Sequence, residues 1–436
     1  MMNIKNVTVI GAGLAGVEAS YQLVKRGIPV RLYEMKKVKK SPAHQLDSFA
    51  ELVCSNSFRS NDLMNAAGLL KEELRHLDSI IMRAAEYAKV PAGSALAVDR
   101  HVFSNYLTDF IRNHPLIEVI DDEIKELPNE PCIIATGPLT SPDLFNYIKD
   151  ITGEDTLYFY DAAAPIIEFD SIDMSKAYFK SRYDKGEATY INCPMTKMEY
   201  DAWYKEVINA NCVVPKEFEL KIFEGCMPFE EMAKRGEQTL LYGPMKPVGL
   251  QKEEGHRPYA VVQLRQDNVA ASLYNIVGFQ THLTFGEQQR IIRMIPGLEK
   301  ANIVRYGVMH MNSFINAPKI INRYYQMKHF PDYFIAGQLS GVEGYLESAG
   351  SGFLAGINMA RYIQNKPFLD MPRDTALGAQ AFYLENALPE LFQPMNINFG
   401  LFPEISGRHT RKDRKQMIVK HSLETINQMM EEHQFD

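Results

Sequence analysis

The chain has 436 residues, 46% of them hydrophobic and 23% charged, with a net charge of −7. This is the composition of a globular protein with a large core, in two or three domains by its length. It excludes nucleic-acid binding by bulk charge and leaves only local basic patches for a polyanion. No apolar run reaches the roughly 18 residues needed to cross a membrane, and the first residues run straight into a strand rather than a secretory leader. The five cysteines, Cys54, Cys132, Cys193, Cys212 and Cys226, are odd in number, widely spaced and without a C-x-x-C pair. Neither a zinc site nor a disulfide framework is expected, and the spacing suits a reducing cytoplasm.

The first predicted strand, Val7 to Ile10, runs into a G-x-G-x-x-G turn made of Gly11, Ala12, Gly13, Leu14, Ala15 and Gly16, and a helix over Val17 to Arg26 leaves it. A second strand, Val30 to Tyr33, ends at Glu34. Strand, turn, helix and acid stand at the spacing of a complete dinucleotide-binding βαβ unit. Gly11 is expected to make the tight turn, Gly13 to let backbone approach a pyrophosphate, and Gly16 to let the helix pack on the strand. Glu34 is placed to accept the ribose hydroxyls.

Two later strands favour FAD over NAD. Pro131 to Ala135 ends in Thr136-Gly137, and Tyr333 to Ala336 ends in Gly337. The second is followed by Gly341 to Tyr345, which includes Gly344, then by the small-residue run Ser348 to Gly352, which includes Gly350, and by an apolar helix to Tyr362. This layout resembles the glutathione-reductase type of FAD fold, in which an ATG strand and a late glycine strand return to the first sheet. There the helix that follows presents its N-terminus to the flavin. The expected architecture is α/β: a discontinuous FAD-binding Rossmann-like domain (residues 1–150 and 320–436) with an inserted α+β domain (151–319) for substrate or RNA. Tyr259 to Arg265 and Tyr274 to Phe279 read as strands of a mixed sheet, and Gly286 to Met294 as an amphipathic helix closed by Pro296-Gly297.

Two cysteines stand in contexts that suit chemistry. Cys54 lies in Ala50 to Ser60, among short oxygen and amide side chains and beside Arg59. It reads equally as an exposed reactive thiol or as a small buried hydrophobe. Cys226 lies between Gly225 and Met227-Pro228, a turn before a helix over Glu230 to Lys234 whose N-terminus would favour a thiolate. Packing is again the alternative. Cys132 sits inside a strand and reads as core. The densest basic stretch is Arg408, Arg411, Lys412, Arg414 and Lys415, extended by Lys420 and His421. It is either an electrostatic footprint for phosphates or a solvated helix face. A second cluster, Lys36 to Lys40, could hold phosphates or be simply exposed.

Several blocks then carry a family resemblance. They are AELVCSNS (Ala50 to Ser57), VPAGSALAVDR (Val90 to Arg100), IATGPLTS (Ile134 to Ser141), YFYDAAAP (Tyr158 to Pro165), SRYDKG (Ser181 to Gly186), EGCM (Glu224 to Met227), YGPMKPVGL (Tyr242 to Leu250), RYGVMH (Arg305 to His310) and QPMNINFG (Gln393 to Gly400). They are similar to the folate- and FAD-dependent tRNA (uracil-5-)-methyltransferases of the TrmFO type, relatives of the GidA flavoproteins. The resemblance implies C5-methylation of an RNA uridine, with the T-loop uridine of tRNA first and a 23S ribosomal RNA uridine as the alternative. It implies methylenetetrahydrofolate as carbon donor and FAD, reduced by NADPH or NADH, as reductant. It places the uracil nucleophile on Cys226 and a second thiol, near the flavin, on Cys54, either as a base for the C5 proton or to hold the flavin adduct between turnovers. One departure stands out: Met311 follows His310 where the family usually has arginine, which implies an altered RNA contact. A reading from another class is a small-molecule flavin oxidoreductase with both cysteines structural.

Overall fold

The computed structural model describes residues 6–41, 43–154, 157–184, 187–213, 227–251, 257–407 and 409–436. The first strand, Val7–Ile10, is buried along its whole length. That is the signature of a parallel strand covered on both faces, where an unbroken apolar run replaces alternation. It is the centre of a five-stranded parallel sheet ordered Tyr333–Ile335, Cys132–Ile134, Val7–Ile10, Val30–Tyr33, Ile117–Ile120. The ATG strand and the late glycine strand thus lie side by side next to the first. The ends of three strands converge on the glycine turn.

Two helices lock across this sheet. Leu14–Lys25 leaves the glycine turn, and Tyr345–Ile363 follows the late strand. A Cβ built on Gly352 would lie 2.2 Å from the Ala15 carbonyl oxygen, and one on Gly356 would lie 2.8 Å from that of Ala19. Glycines four apart therefore let the two backbones touch along one seam. The contact fixes the start of the second helix, Tyr345, above the turn.

The chain leaves this unit and returns to it along one antiparallel ribbon, Leu157–Ala162 with Met309–Phe314. Between them lies a six-stranded sheet ordered Tyr178–Phe179, Ile191–Met195, Ala260–Gln266, Leu273–Ile276, Ile166–Glu168, Ile303–Arg305. Among the described residues every pairing in it is antiparallel, where a mixed sheet is expected from the sequence. Only the strand pairs Tyr178–Phe179 with Ile191–Met195 and Ala260–Gln266 with Leu273–Ile276 are joined by short connections, of the kind that favours antiparallel neighbours. The amphipathic helix predicted from Gly286 spans Phe285–Ile292 and stops two residues early, at Arg293, whose side chain donates to the Ala301 carbonyl. Two large hydrophobic cores result among the described residues. One draws on residues 7–148 and 314–429, the other on residues 167–303. No helix among the described residues is long and apolar enough to cross a membrane.

Candidate active site

The glycine turn opens on a cleft lined by Gly11, Gly13, Leu14, Ala15, Glu34, Val53, Thr136, Gly137, Gly337, Tyr345 and Ser348, among others. The three turn glycines differ in what their missing side chains permit. Gly11 has φ +96°, and a Cβ there would lie 2.6 Å from the Ala135 carbonyl. A Cβ on Gly16 would overlap the Gly11 carbonyl. A Cβ on Gly13 meets nothing within 4 Å. Gly11 and Gly16 thus serve the turn itself, and Gly13 leaves bare backbone facing open space, as a pyrophosphate requires. Ala12 and Lys36 donate their amides to the two oxygens of Glu34, at 2.9 and 3.0 Å. This holds the carboxylate at the cleft wall with a lone pair left on each oxygen for a hydroxyl donor. The cleft therefore fits a dinucleotide with its adenosine ribose at Glu34.

Thr136 and Gly137 close one side, where the Thr136 hydroxyl meets that of Thr140 at 2.6 Å. Gly337, at φ +75°, donates its amide to Ser351. Gly344 is the N-cap of Tyr345–Ile363, where a side chain would strike Glu347. Gly350 faces Leu377 within that helix and does not line the cleft.

Cys54 lies at the edge of this cleft, partly exposed and in no disulfide. The Tyr345 hydroxyl accepts the amides of Cys54 (3.0 Å) and Ser55 (3.1 Å) and lies 3.2 Å from Cys54 Sγ. Two accepted bonds use both lone pairs of the oxygen, so its single proton is left for the sulfur. Burial, and next the neighbouring thiol, holds the Tyr345 hydroxyl well above the usual phenol range, so it remains a donor.

The loop around Cys54 is held by three arginines. Arg100 donates to the Leu52 carbonyl and pairs with Asp267. Arg265 donates to Asn56 Oδ1 (3.0 Å) and Ser55 Oγ (2.8 Å). Arg305 donates to the Val53 carbonyl (2.9 Å). Arg265 and Arg305 come from the antiparallel sheet, so the inserted segment builds the wall behind the thiol. Sequence reasoning assigns no role to Tyr345, Arg265 or Arg305. Arg305 opens one of the quoted blocks and Tyr345 closes the glycine-rich turn, but the pairing with Cys54 spans 291 residues.

Cys226 and Arg408 lie outside the described residues. Cys132 and Cys193 are core, and burial pushes the Cys193 thiol up to about 12. The Lys36 to Lys40 cluster is spent within the protein. Lys36 is buried and donates to the Ser48 carbonyl, while Lys37, Lys39 and Lys40 pair with Asp121, Glu123 and Asp47 at 2.6 to 2.9 Å. Arg411, Lys412, Arg414 and Lys415 open the helix Arg411–Glu431, capped by Thr410.

Fold and cleft together define an FAD-binding flavoprotein. The backbone matches that of Aquifex aeolicus GidA over 97% of this chain and 73% of that one, with a TM-score of 0.69 at 15% identity. The GIDA family, described as glucose inhibited division protein A, matches residues 6–367. Sequence likeness is far closer to proteins named methylenetetrahydrofolate–tRNA-(uracil-5-)-methyltransferase TrmFO. The one from Listeria monocytogenes serotype 4b (strain F2365) is 58% identical over 98% of this chain and 99% of its own. That from Lysinibacillus sphaericus (strain C3-41) is 59% identical over 97% of each. The chain belongs to the TrmFO family.

Proposed function

We infer that this chain methylates C5 of a uridine in tRNA, the T-loop uridine first, with methylenetetrahydrofolate as carbon donor. Bound FAD supplies the reducing electrons, and NADPH or NADH restores them. The free thiols suit a reducing cytoplasm. The observation that carries the reading is Cys54 set 3.2 Å from the Tyr345 hydroxyl at the mouth of the dinucleotide cleft, in a chain matched along 98% of its length by a TrmFO protein.

Uracil C5 is a poor nucleophile. A thiolate adding at C6 converts the ring to an enolate whose C5 attacks an electrophilic carbon. The family pattern gives that addition to Cys226, in the segment just before Met227-Pro228 and the helix Phe229–Lys234. Once C5 carries the new carbon, C5 must lose its proton and the bond from that carbon to tetrahydrofolate must break, which leaves an exocyclic methylene; a hydride, which reduced FAD would supply, would turn it into the methyl group as the Cys226 thiolate leaves C6. Cys54 is the base for that proton. The Tyr345 hydroxyl donates to its sulfur and favours the thiolate, and Arg265 and Arg305 add positive charge around the loop. The segment Arg411 to Lys415, together with Arg408, meets RNA phosphates as the local positive surface of an acidic chain.

RNA carrying 5-fluorouridine tests the two thiol roles, since fluorine at C5 cannot leave as a proton and the C6 adduct persists. Wild-type protein and Cys54→Ala should trap the RNA covalently, and Cys226→Ala should not. If Cys226→Ala traps RNA and Cys54→Ala fails to, the roles are reversed.

A further inference from the structure

A second cavity, of about 490 Å³, opens between the strand Ser57–Ser60, the start of the helix Ala66–His76 and the start of the helix Arg411–Glu431. Four cations line it: Arg59, Arg411, Arg414 and Lys415. No carboxylate does. Lys415 donates to the Met64 carbonyl (3.0 Å) and lies over the Phe399 ring, and Arg414 donates to the Phe399 carbonyl (3.4 Å). Those partners are neutral, so both charges stay uncompensated. Arg411 is exposed and makes no ion pair among the described residues. This is the reverse of the Lys36 to Lys40 cluster, where each exposed ammonium has a carboxylate.

Arg59 is built into place. Its backbone is left-handed, at φ +63°. The buried Lys71 ammonium donates to the carbonyls of Phe58, Arg59 and Ser60 and so clamps that turn. The guanidinium bonds Glu347 Oε2 at 2.6 Å. Glu347 is buried, lies two residues after Tyr345, and accepts the Ile397 amide. At most about 18 Å of chain separates Arg59 from Cys54. The cavity is thus tied through one ion pair to the helix turn that carries the Cys54 partner. Asn65, which caps Ala66–His76, makes no side-chain capping bond, so that helix end adds its dipole to the field of Arg411, Arg414 and Lys415.

We propose that this cavity is a phosphate pocket for the RNA backbone. It rests on the RNA-methylation reading and deepens it. Arg59, Arg411, Arg414 and Lys415 seat one phosphodiester of the substrate RNA, and the Arg59–Glu347 pair sets the register of the target nucleotide against Cys54 and Tyr345. Lys412, on the same helical turn but outside the cavity, belongs to the surrounding field and not to the pocket.

The test is the equilibrium binding of unmodified tRNA by the flavin-loaded protein across a salt series. Arg411→Ala and Lys415→Ala should each weaken binding about tenfold at moderate salt, and each should lower the slope of log affinity against log salt by about one. Lys366→Ala, which removes an equal charge from the loop after Tyr345–Ile363, should change affinity less than twofold. Wild-type affinity and slope in both pocket variants would overturn the proposal. So would a raised KM for NADPH or for polyglutamylated methylenetetrahydrofolate with RNA affinity unmoved, since the anion would then be theirs. Either result is separable from failure of the activity reading, which requires that wild-type protein methylate no RNA at all.

Discussion

Replacing Tyr345 with phenylalanine removes one oxygen and leaves a ring that still meets Phe58 at 5.8 Å. The oxygen serves three partners: the amides of Cys54 and Ser55, and the sulfur of Cys54. Each amide left without its acceptor costs about 1 kcal/mol or more, and the pair about 2 kcal/mol or more of stability. The thiolate loses a donor as well. A hydrogen bond to a charged group contributes about 1.5 kcal/mol, so the thiolate fraction below the titration midpoint should fall about tenfold. The assay is iodoacetamide labelling, with the Cys54 peptide quantified by mass spectrometry between pH 6 and 9. The Tyr345 hydroxyl stays protonated across that range, because burial and then the thiol hold it well above its ordinary value. Cys54 in Tyr345→Phe should label about tenfold more slowly at pH 7, and the variant should unfold at lower urea. Equal labelling at every pH, with unchanged unfolding, would refute the claim that this hydroxyl donates to sulfur and holds the loop.

Three further outcomes follow from single contacts. A Cβ at Gly13 meets nothing within 4 Å, so the purified Gly13→Val variant should fold with near wild-type stability yet lose its flavin absorbance. Retention of full flavin would remove Gly13 from the pyrophosphate site. Gly352→Val should be severe, because a Cβ 2.2 Å from the Ala15 carbonyl forces the two helices about 1 Å apart, at a cost of about 3 kcal/mol or more; urea unfolding with a wild-type midpoint would contradict the seam. Burial lowers the pKa of His282, but its bonds to Cys212 and Glu231 and the charge of Glu230 outweigh burial and raise it to about 9. That stability is fully present below about 6.5 and is lost as pH rises through about 9. Wild type should therefore exceed His282→Gln by about 2–3 kcal/mol more at pH 6 than at pH 10, measured by urea unfolding, and a pH-independent difference would contradict the pairing.

What the sequence disclosed is the part encoded locally. The glycine turn, the ATG strand, the late glycine strand and Glu34 lie in short windows whose spacing alone carries the geometry. Their meeting in one parallel sheet follows from the limited ways such strands can be covered. The thiol environment was illegible for the opposite reason. Tyr345 reaches Cys54 across 291 residues, and Arg265 and Arg305 reach the same loop across 210 and 252. Nothing in a window around Cys54 reports a donor brought by a distant helix. The Lys36 to Lys40 cluster illustrates the converse: it reads as a cationic patch, yet Lys37 and Lys39 are paired with acids 84 residues away, Lys40 with Asp47, and Lys36 is turned onto the Ser48 carbonyl. Gly350 is a small residue in a glycine-rich run, yet its smallness serves Leu377 and not the cleft.

The most direct test of the account is a reconstitution. Purified protein loaded with FAD is given NADPH, methylenetetrahydrofolate labelled in its methylene carbon, and tRNA lacking 5-methyluridine, and the digested RNA is searched for labelled nucleoside. The account predicts label in 5-methyluridine at the T-loop position, lost in Cys226→Ala while flavin content remains. Steady NADPH consumption with no label entering RNA would contradict it and return the chain to a small-molecule flavin oxidoreductase.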